Sequence, residues 1–464
     1  MSEFQNAISP TWQRTKLGDL LVVLRGVSYK KEHATKQPSD GYVPILRATN
    51  IQNGLVFEDL VYVPRRYVSD EQLLRPNDIV IAASSGSRSI VGKAAQLTTE
   101  WIGSFGAFCY GLRPKKGTDP RFINWFLQSA EYRNRVSELS AGVNINNLRA
   151  QHIEETPVSL PPFGEQQRIV AEIEKQFTRL DAGVAALKRA QANLKRYRAA
   201  VLKAACEGKL VPTEAELARA EGRGYESGAE LLQRILRERR AKWNGRGKYK
   251  EPVAPNVEGL ATLPEAWEWA TVEQLGEVQL GRQRSPKNVS KDYPTKYIRA
   301  ANITERGLDL SDILEMEFLP SERERYTLHE GDIVLSEASG SASQVGKPAI
   351  WRDEIKLCCF QNTVIRHRMV KINPSYGLVV YKHFYTSKVF SKIAGGVGIN
   401  HLGAEKFAAI SVPIPPLAEQ HRIIAEVERR LSVIEEMEAS ISANLQRAAR
   451  LRQAVLQQAL SGEL

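Results

Sequence analysis

Two hydrophobic patterns alternate along the 464-residue chain. In the first, short runs of Val, Ile, Leu and aromatic residues, such as YVPILRA (42–48), DIVIAA (78–83) and the neighbourhood of Cys109 to Leu112, are separated by Gly, Ser, Asn and Pro clusters. That is the pattern of strands joined by turns. Phe122 to Leu139 and Val380 to Ile393 carry helical spacing instead and predict one amphipathic helix each. In the second pattern, apolar residues recur three and four apart at Ile173, Phe177, Leu180, Val184, Leu187, Leu194 and Val201, with polar Gln191 and Arg198 in the gaps. Val427, Leu431, Ile434, Ile441, Leu445 and Val455 repeat that spacing near the other end. Two helices of about forty residues follow, each about 60 Å long at roughly 1.5 Å per residue. Such stripes need a partner, and the two rods are expected to pack on each other, antiparallel.

Both patterns occur twice because the chain is written twice. Trp12 with Leu17, Gly18 and Asp19 reads like Trp269 with Leu275, Gly276 and Glu277, and RATNI (47–51) reads like RAANI (299–303). The register then settles at an offset of 254. Asp78-Ile79-Val80 recurs as Asp332-Ile333-Val334, Ser85-Gly86-Ser87 as Ser339-Gly340-Ser341, and Val91-Gly92-Lys93 as Val345-Gly346-Lys347. Ile145 and Asn146 match Ile399 and Asn400; Pro161, Pro162, Glu165, Gln166, Arg168 and Ile169 match Pro415, Pro416, Glu419, Gln420, Arg422 and Ile423. Gly208-Lys209-Leu210 matches the terminal Gly462-Glu463-Leu464, a stop for each rod. The expected fold is therefore mixed α/β (α+β) domains in tandem duplicate, each followed by a long helix, with the helices paired as an antiparallel coiled coil. Its segments are a domain at 1–162, a rod at 163–210, a helical stretch (Ala229 to Lys242) and linker within 211–264, a domain at 265–416 and a rod at 417–464.

Composition narrows the function. A soluble, globular, multi-domain chain is expected from its length, 42% hydrophobic and 25% charged residues. The amino terminus lacks a basic leader with an apolar run, and no eighteen-residue apolar stretch occurs, so neither secretion nor membrane spanning is expected. Cys109, Cys206, Cys358 and Cys359 have neither CxxC spacing nor a matching histidine pair, and no metal site or disulfide framework is read from them. The net charge of +11 permits a polyanionic partner, and residues 163–250 hold most of it, with 20 basic and 11 acidic groups.

Catalytic patterns fail on inspection. Gly86 to Lys93 has five residues between its glycines where a phosphate loop needs four, and Ala94 or Pro348 stands where the magnesium-binding Ser or Thr belongs. The chain also lacks GxGxxG opening a helix, HExxH and the Asn/Asp-Pro-Pro-aromatic tetrad of base-flipping adenine methyltransferases.

The polar loops suit DNA reading. Arg25, Ser28, Tyr29, Lys30 and Lys31 follow the first strand of one copy, and Arg282, Gln283, Arg284, Ser285 and Lys287 hold the similar place in the other. Arg and Lys can address guanine, Asn and Gln adenine, and all can bind phosphate. These loops differ while their surroundings repeat, as two readers with different targets would, and as unconstrained surface loops also would. A second pair is Ser84 to Ser89, with Ser85, Ser87 and Arg88, against Ser339 to Gln344, with Ser341. A third is Asn144, Asn146 and Asn147 against Asn400 and His401, where Asn146 and Asn400 can equally be turn formers. Lys188, Arg189, Lys195, Arg196 and Arg198 on the first rod suit phosphates or a solvated helix face.

The Trp/Leu-Gly-acidic opening, NDIV (77–80) and GDIV (331–334), the rod openings LPPFGEQQRIVAEIE and IPPLAEQHRIIAEVE, and the endings AVLKAACEGKL and AVLQQALSGEL resemble type I restriction enzyme specificity subunits over nearly the whole chain. The resemblance implies two target-recognition domains that each read half of a split DNA target in the major groove. The rods would then be a ruler and a docking surface for two methyltransferase subunits. Candidates for pairing or docking are Glu165, Gln166, Ile173, Leu180, Leu187, Glu419, Gln420, Val427, Ile434 and Ile441. It implies no catalytic residue and no cofactor in this chain: S-adenosylmethionine belongs to the methyltransferase partner, ATP and Mg to restriction/translocase subunits. The expected setting is the cytoplasm, on DNA. Rival readings are a subunit of a methylation-only or phage-defence system and a coiled-coil protein-binding scaffold.

Overall fold

The duplication is visible in the strand order. The computed structural model describes residues 11–139, 146–243, 247–283, 292–396 and 399–463, in two compact units, Met1–Arg189 with Ile441–Leu464 and Ala190–Ser440. The first unit contains an antiparallel sheet ordered Leu21–Arg25, Cys109–Pro114, Ile79–Ala82, Ala94–Gln96, and a mixed sheet ordered Val61–Pro64, Tyr42–Leu46, Ser104–Phe105. In the second unit the corresponding orders are Gly276–Leu280, Val364–Met369, Ile333–Ser336, Pro348–Ile350, and Leu314–Glu317, Pro294–Ile298, Cys358–Phe360. Ile79–Ala82 and Ile333–Ser336 are buried at all four positions, which explains the apolar runs Ile79–Ala82 and Ile333–Leu335, while the buried Ser336 hydroxyl donates to the Gln344 carbonyl. Asp78 and Asp332, at their entries, each take a bidentate arginine from the neighbouring strand, Arg113 and Arg368.

The repeated RATNI and RAANI are frame residues too. Asn50 accepts from Arg47 N and donates to the carbonyls of Val56 and Glu58, while Asn302 accepts from Arg299 N and donates to those of Asp309 and Asp312. Val-Gly-Lys is likewise structural. Gly92 and Gly346 both have φ +77°, and a Cβ there would meet Val136 or Phe390 at 2.6 or 2.4 Å.

The Pro-Pro-x-x-Glu-Gln entry fastens each long helix to its own domain. Gln166 Oε1 accepts from Asp119 N at 2.8 Å and its Nε2 donates to the Pro161 carbonyl; Gln420 does the same with Asn373 N and the Pro415 carbonyl. Trp12 Nε1 donates to Glu165 at 3.0 Å and Trp267 Nε1 to Glu419 at 2.9 Å. Glu165, Gln166, Glu419 and Gln420 are thus committed inside the chain, which corrects their reading as partner-docking groups. Trp12 is also matched by Trp267 rather than Trp269. Leu17 opens a helical turn whereas Leu275 closes one, so the Leu-Gly-acidic likeness falls on non-equivalent positions.

The long helices run Phe163–Cys206 and Leu417–Ser461. Val427, Ile434, Ile441, Ala448 and Val455, seven apart, are buried, the strict heptad of a left-handed supercoil. Ile173 is buried as well, and Leu180 and Leu187 are half-buried. The polar interruptions pair with each other: Arg198 meets Glu438 at 3.0 Å, and Arg452 meets Asp181 at 2.9 Å while lying 3.9 Å over the Phe177 ring. The late residue of each helix finds the early part of the other, so the pairing is antiparallel. Val455, Leu456 and Ala459 enter the first domain's core beside Ile169 and Ile173. Val201, Leu202 and Ala205 enter the second domain's core beside Ile423 and Val427. Left-handed Gly208 and Gly462 end the helices, with Lys209 N bonded to the Ala204 carbonyl and Glu463 N to that of Gln458.

Both predicted amphipathic helices are broken in two, into Pro120–Phe126 and Ala130–Leu139, and into Pro374–Thr386 and Val389–Ile393. Ser129 Oγ accepts from Tyr132 N and starts a new helix, and Lys388 at φ 63° interrupts the other. Periodicity spans such breaks because the apolar face is kept. The Ala229 to Lys242 prediction matches the helix Gly228–Ala241, opened by a Ser227–Glu230 capping box.

Two expectations follow. Gln420→Ala leaves the Asn373 N–H and Pro415 carbonyl without partners and lowers stability by about 1–3 kcal/mol; an unchanged urea midpoint would show that these bonds do not hold the helix. The second concerns His367, fully buried, its Nδ1 2.7 Å from Tyr381 Oη, with burial pushing its pKa down to about 3 from the usual 6.5. The unfolded chain takes up this proton below about pH 6.5 and the folded chain does not, so stability present above that pH is lost progressively as pH falls towards 3. The pair His367→Leu with Tyr381→Phe, imitating Leu112 and Leu127, removes that component, and an identical pH dependence of the melting temperature in both proteins contradicts it.

Candidate nucleic-acid interface

Sheet direction decides which loops meet. In the first domain Arg25 pairs with Tyr110, and Ala82 with Cys109. The loops after Arg25 and Ala82 therefore leave from one end of the four-stranded sheet. Ser84–Ser85 then pairs with Asn146–Asn147, which adds the third segment. The second domain repeats this: Leu280 pairs with Ile365, Ser336 with Val364, and Ala338–Ser339 with Asn400–His401. Three segments far apart in sequence thus form one polar tip per domain. Opposite it, Leu21 pairs with Pro114 at the sheet end nearer Asp119 and the helix entry.

At the first tip Arg25, Ser28, Lys30, Lys31, Ser87, Arg88 and Asn147 are exposed, while Ser85 and Tyr29 are half-buried, Tyr29 against the Val27 and Val43 cluster. Ser87 N donates to Ser85 Oγ, and Ser87 and Ser89 share a hydroxyl bond at 3.0 Å. The loop's far end is held by Arg133, which donates to the carbonyls of Ser89 and Val91 at 2.9 and 2.8 Å. At the second tip Ser341 N donates to Ser339 Oγ, and Ser341 bonds Ser343 at 2.9 Å, the same turn. Gln283, Ser341 and His401 are exposed; Ser339, Gln344 and Asn400 are half-buried.

Asn144, Arg284 and Lys287 lie outside the described residues, as does the side chain of Asn146. Arg282 is corrected as a reader. Its guanidinium is 7% exposed, bonds Glu322 at 2.8 Å and the Glu317 carbonyl at 2.8 Å, and lies over the Phe318 ring. Those contacts enclose the side chain against the second domain's mixed sheet.

The comparisons decide the family. The model for the type I restriction modification DNA specificity domain matches twice, at residues 10–191 and 264–446. The EcoKI specificity subunit of Escherichia coli K12 is 30% identical over 98% of this chain and 89% of its own length. The StySPI specificity subunit of Salmonella potsdam matches with the same identity and coverage. The chain belongs to the type I restriction-modification DNA specificity family. This specificity subunit also shares its fold with a chain solved in a study of complex assembly and conformational transition of the type I R-M system (TM-score 0.68, 17% identity, 98% and 99% of the two chains). The HsdS subunit of Thermoanaerobacter tengcongensis is similar at TM-score 0.53 and 16% identity, covering both chains completely.

The specificity subunit's four cysteines are free and buried, and burial pushes the thiols of Cys109 and Cys358 up to about 12 and that of Cys359 to about 11. They pack among the core residues of their domains. Among the described residues no cluster of His, Cys, Asp or Glu is placed to hold a metal ion, and no helix is long and apolar enough to cross a membrane.

What sequence reading missed at the tips is Arg133, which lies in a helix far from the loop it holds, and Glu337. Comparing the copies at offset 254 exposes the latter, because Ala83 stands opposite it. The separation of frame from tip predicts that Arg282→Ala lowers the second domain's stability by about 1–3 kcal/mol, whereas Gln283→Ala leaves stability within about 0.5 kcal/mol. Denaturant unfolding checks both, and equal effects would contradict the assignment.

Proposed function

We propose that the two α/β domains, 1–162 and 265–416, are target-recognition domains that each read one half of a split DNA sequence in the major groove. The single observation that carries this is that a repeated frame ends, in each copy, in one polar tip of three segments, where a shared Ser-Gly-Ser turn is flanked by side chains that differ, Ala83, Arg88 and Asn147 in one copy and Glu337, Ala342 and His401 in the other. Arg25, Ser28, Tyr29, Lys30, Lys31, Ser85, Ser87, Arg88 and Asn147 are the reading groups of the first tip; Gln283, Ser339, Ser341, Gln344, Asn400 and His401 are those of the second. The chain supplies no catalytic group. Two methyltransferase subunits dock on it and carry S-adenosylmethionine, and restriction/translocase subunits supply ATP- and Mg-dependent cleavage. The complex works in the cytoplasm, on DNA.

The paired rods set the unread spacer. A stiff helix pair fixes separation and phase between two readers, as paired half-site recognition requires. Inserting one helical turn in both helices, about 6 Å, lengthens the accepted spacer by one or two base pairs at about 3.4 Å each; an unchanged spacer overturns the ruler. The reading as a whole is tested by mapping adenine methylation in cells carrying the partner methyltransferase with and without this chain. A motif of two short half-sites around a fixed spacer, lost with the chain, is expected. Methylation indifferent to the chain refutes it.

A further inference from the structure

At one place the two tips carry a paired exchange of side chains on backbone that is hydrogen-bonded in the same way. Ala83 N donates to the Phe108 carbonyl at 2.8 Å, and the Ala83 carbonyl accepts from Leu148 N at 2.7 Å. In the second domain Glu337 N donates to the Thr363 carbonyl at 2.8 Å, and the Glu337 carbonyl accepts from Leu402 N at 2.9 Å. These bonds make Glu337 the counterpart of Ala83, and His401, which precedes Leu402, the counterpart of Asn147. One copy holds Ala with Asn, the other Glu with His.

The second pair is built as a unit. The Glu337 side chain is 9% exposed and its two oxygens lie 3.0 and 3.2 Å from His401 Nδ1, while the His401 side chain is 52% exposed. A desolvated carboxylate is costly without a partner. Here its hydrogen-bonded partner is the imidazole, which thereby donates through Nδ1 and keeps Nε2 for something else. We infer that Glu337 is a positioning residue that fixes the His401 ring for one base-edge contact in the second half-site, at the place where the first domain presents Asn147. The inference rests on the proposed reading of DNA by the tips.

The hydrogen bond argues for a base edge over phosphate. A ring that donates through Nδ1 to Glu337 offers the Nε2 lone pair outward, which can accept from a base amino group and has nothing to accept from a phosphate oxygen. The counterpart Asn147 is a neutral amide, a side chain suited to base edges. In each domain the residue stands on the short strand that pairs with the polar loop, beside Ser84 and Ala338.

The test uses the full chain assembled with its methyltransferase partner, titrated with duplexes in which each base pair of both half-sites is changed in turn. Glu337→Ala is expected to reduce discrimination roughly 5- to 100-fold at one base pair of the second half-site and nowhere in the first. Glu337→Gln, which keeps an acceptor for Nδ1, restores part of the loss, and His401→Asn changes the preferred base at the same position. Uniform weakening across all duplexes, with a reduced salt dependence, would identify a phosphate contact and overturn the inference. An unaltered profile, or losses spread over several positions with no rescue by Gln, overturns it too. A wild-type complex indifferent to the second half-site refutes reading by that tip, and the role of the pair with it.

Discussion

An apolar stripe on a helix of more than forty residues cannot face water, and the architecture of this chain follows from that constraint. Each stripe is covered in part by the other helix and in part by an α/β core, so that Val455 and Leu456 complete one domain and Val201 and Leu202 the other. The polar interruptions are used rather than tolerated. Arg198 with Glu438, and Arg452 with Asp181, fix direction and register where a purely apolar seam would allow slippage. The buried Gln166 and Gln420 then tie each helix entry to the residue that caps the helix Pro120–Phe126 or Pro374–Thr386, so that each rod starts bonded to its own domain.

These internal bonds explain the division between repeated and unrepeated residues. Asp78 with Arg113, Asp332 with Arg368, Asn50, Asn302, Gly92 and Gly346 all hold backbone in place, and they recur because the frame recurs. At the opposite end of each sheet, the groups that differ between copies are carried by backbone held in the same way. A frame of this kind allows the target to change without refolding the domain.

Sequence pattern reached the frame because period and offset are backbone properties. The heptads, the 254-residue register, the Gly stops and the strand runs around Ile79 and Ile333 were all readable in it. What escaped depends on tertiary contact. Leu17-Gly18-Asp19 and Leu275-Gly276-Glu277 look alike but occupy different steps of the same turn-to-strand passage. The breaks at Ser129 and Lys388 preserve the apolar face and so leave periodicity intact. Arg282, in a polar run beside a loop, reads as a DNA contact until Glu322 and Phe318 are seen to enclose it. Glu165, Gln166, Glu419 and Gln420 read as docking groups until their partners inside the chain are placed.

The central claim, that the repeated frame and the side chains that differ at its tips are separable, is tested most directly by exchanging tips. Replacing Glu337–Gln344 and Asn400–His401 by the residues of Ala83–Ile90 and Asn146–Asn147, which are equal in length, and mapping the methylated motif is the measurement. The account predicts that only the second half-site changes, with spacer and first half-site retained. Retention of the original second half-site by a folded, active chimera would contradict it.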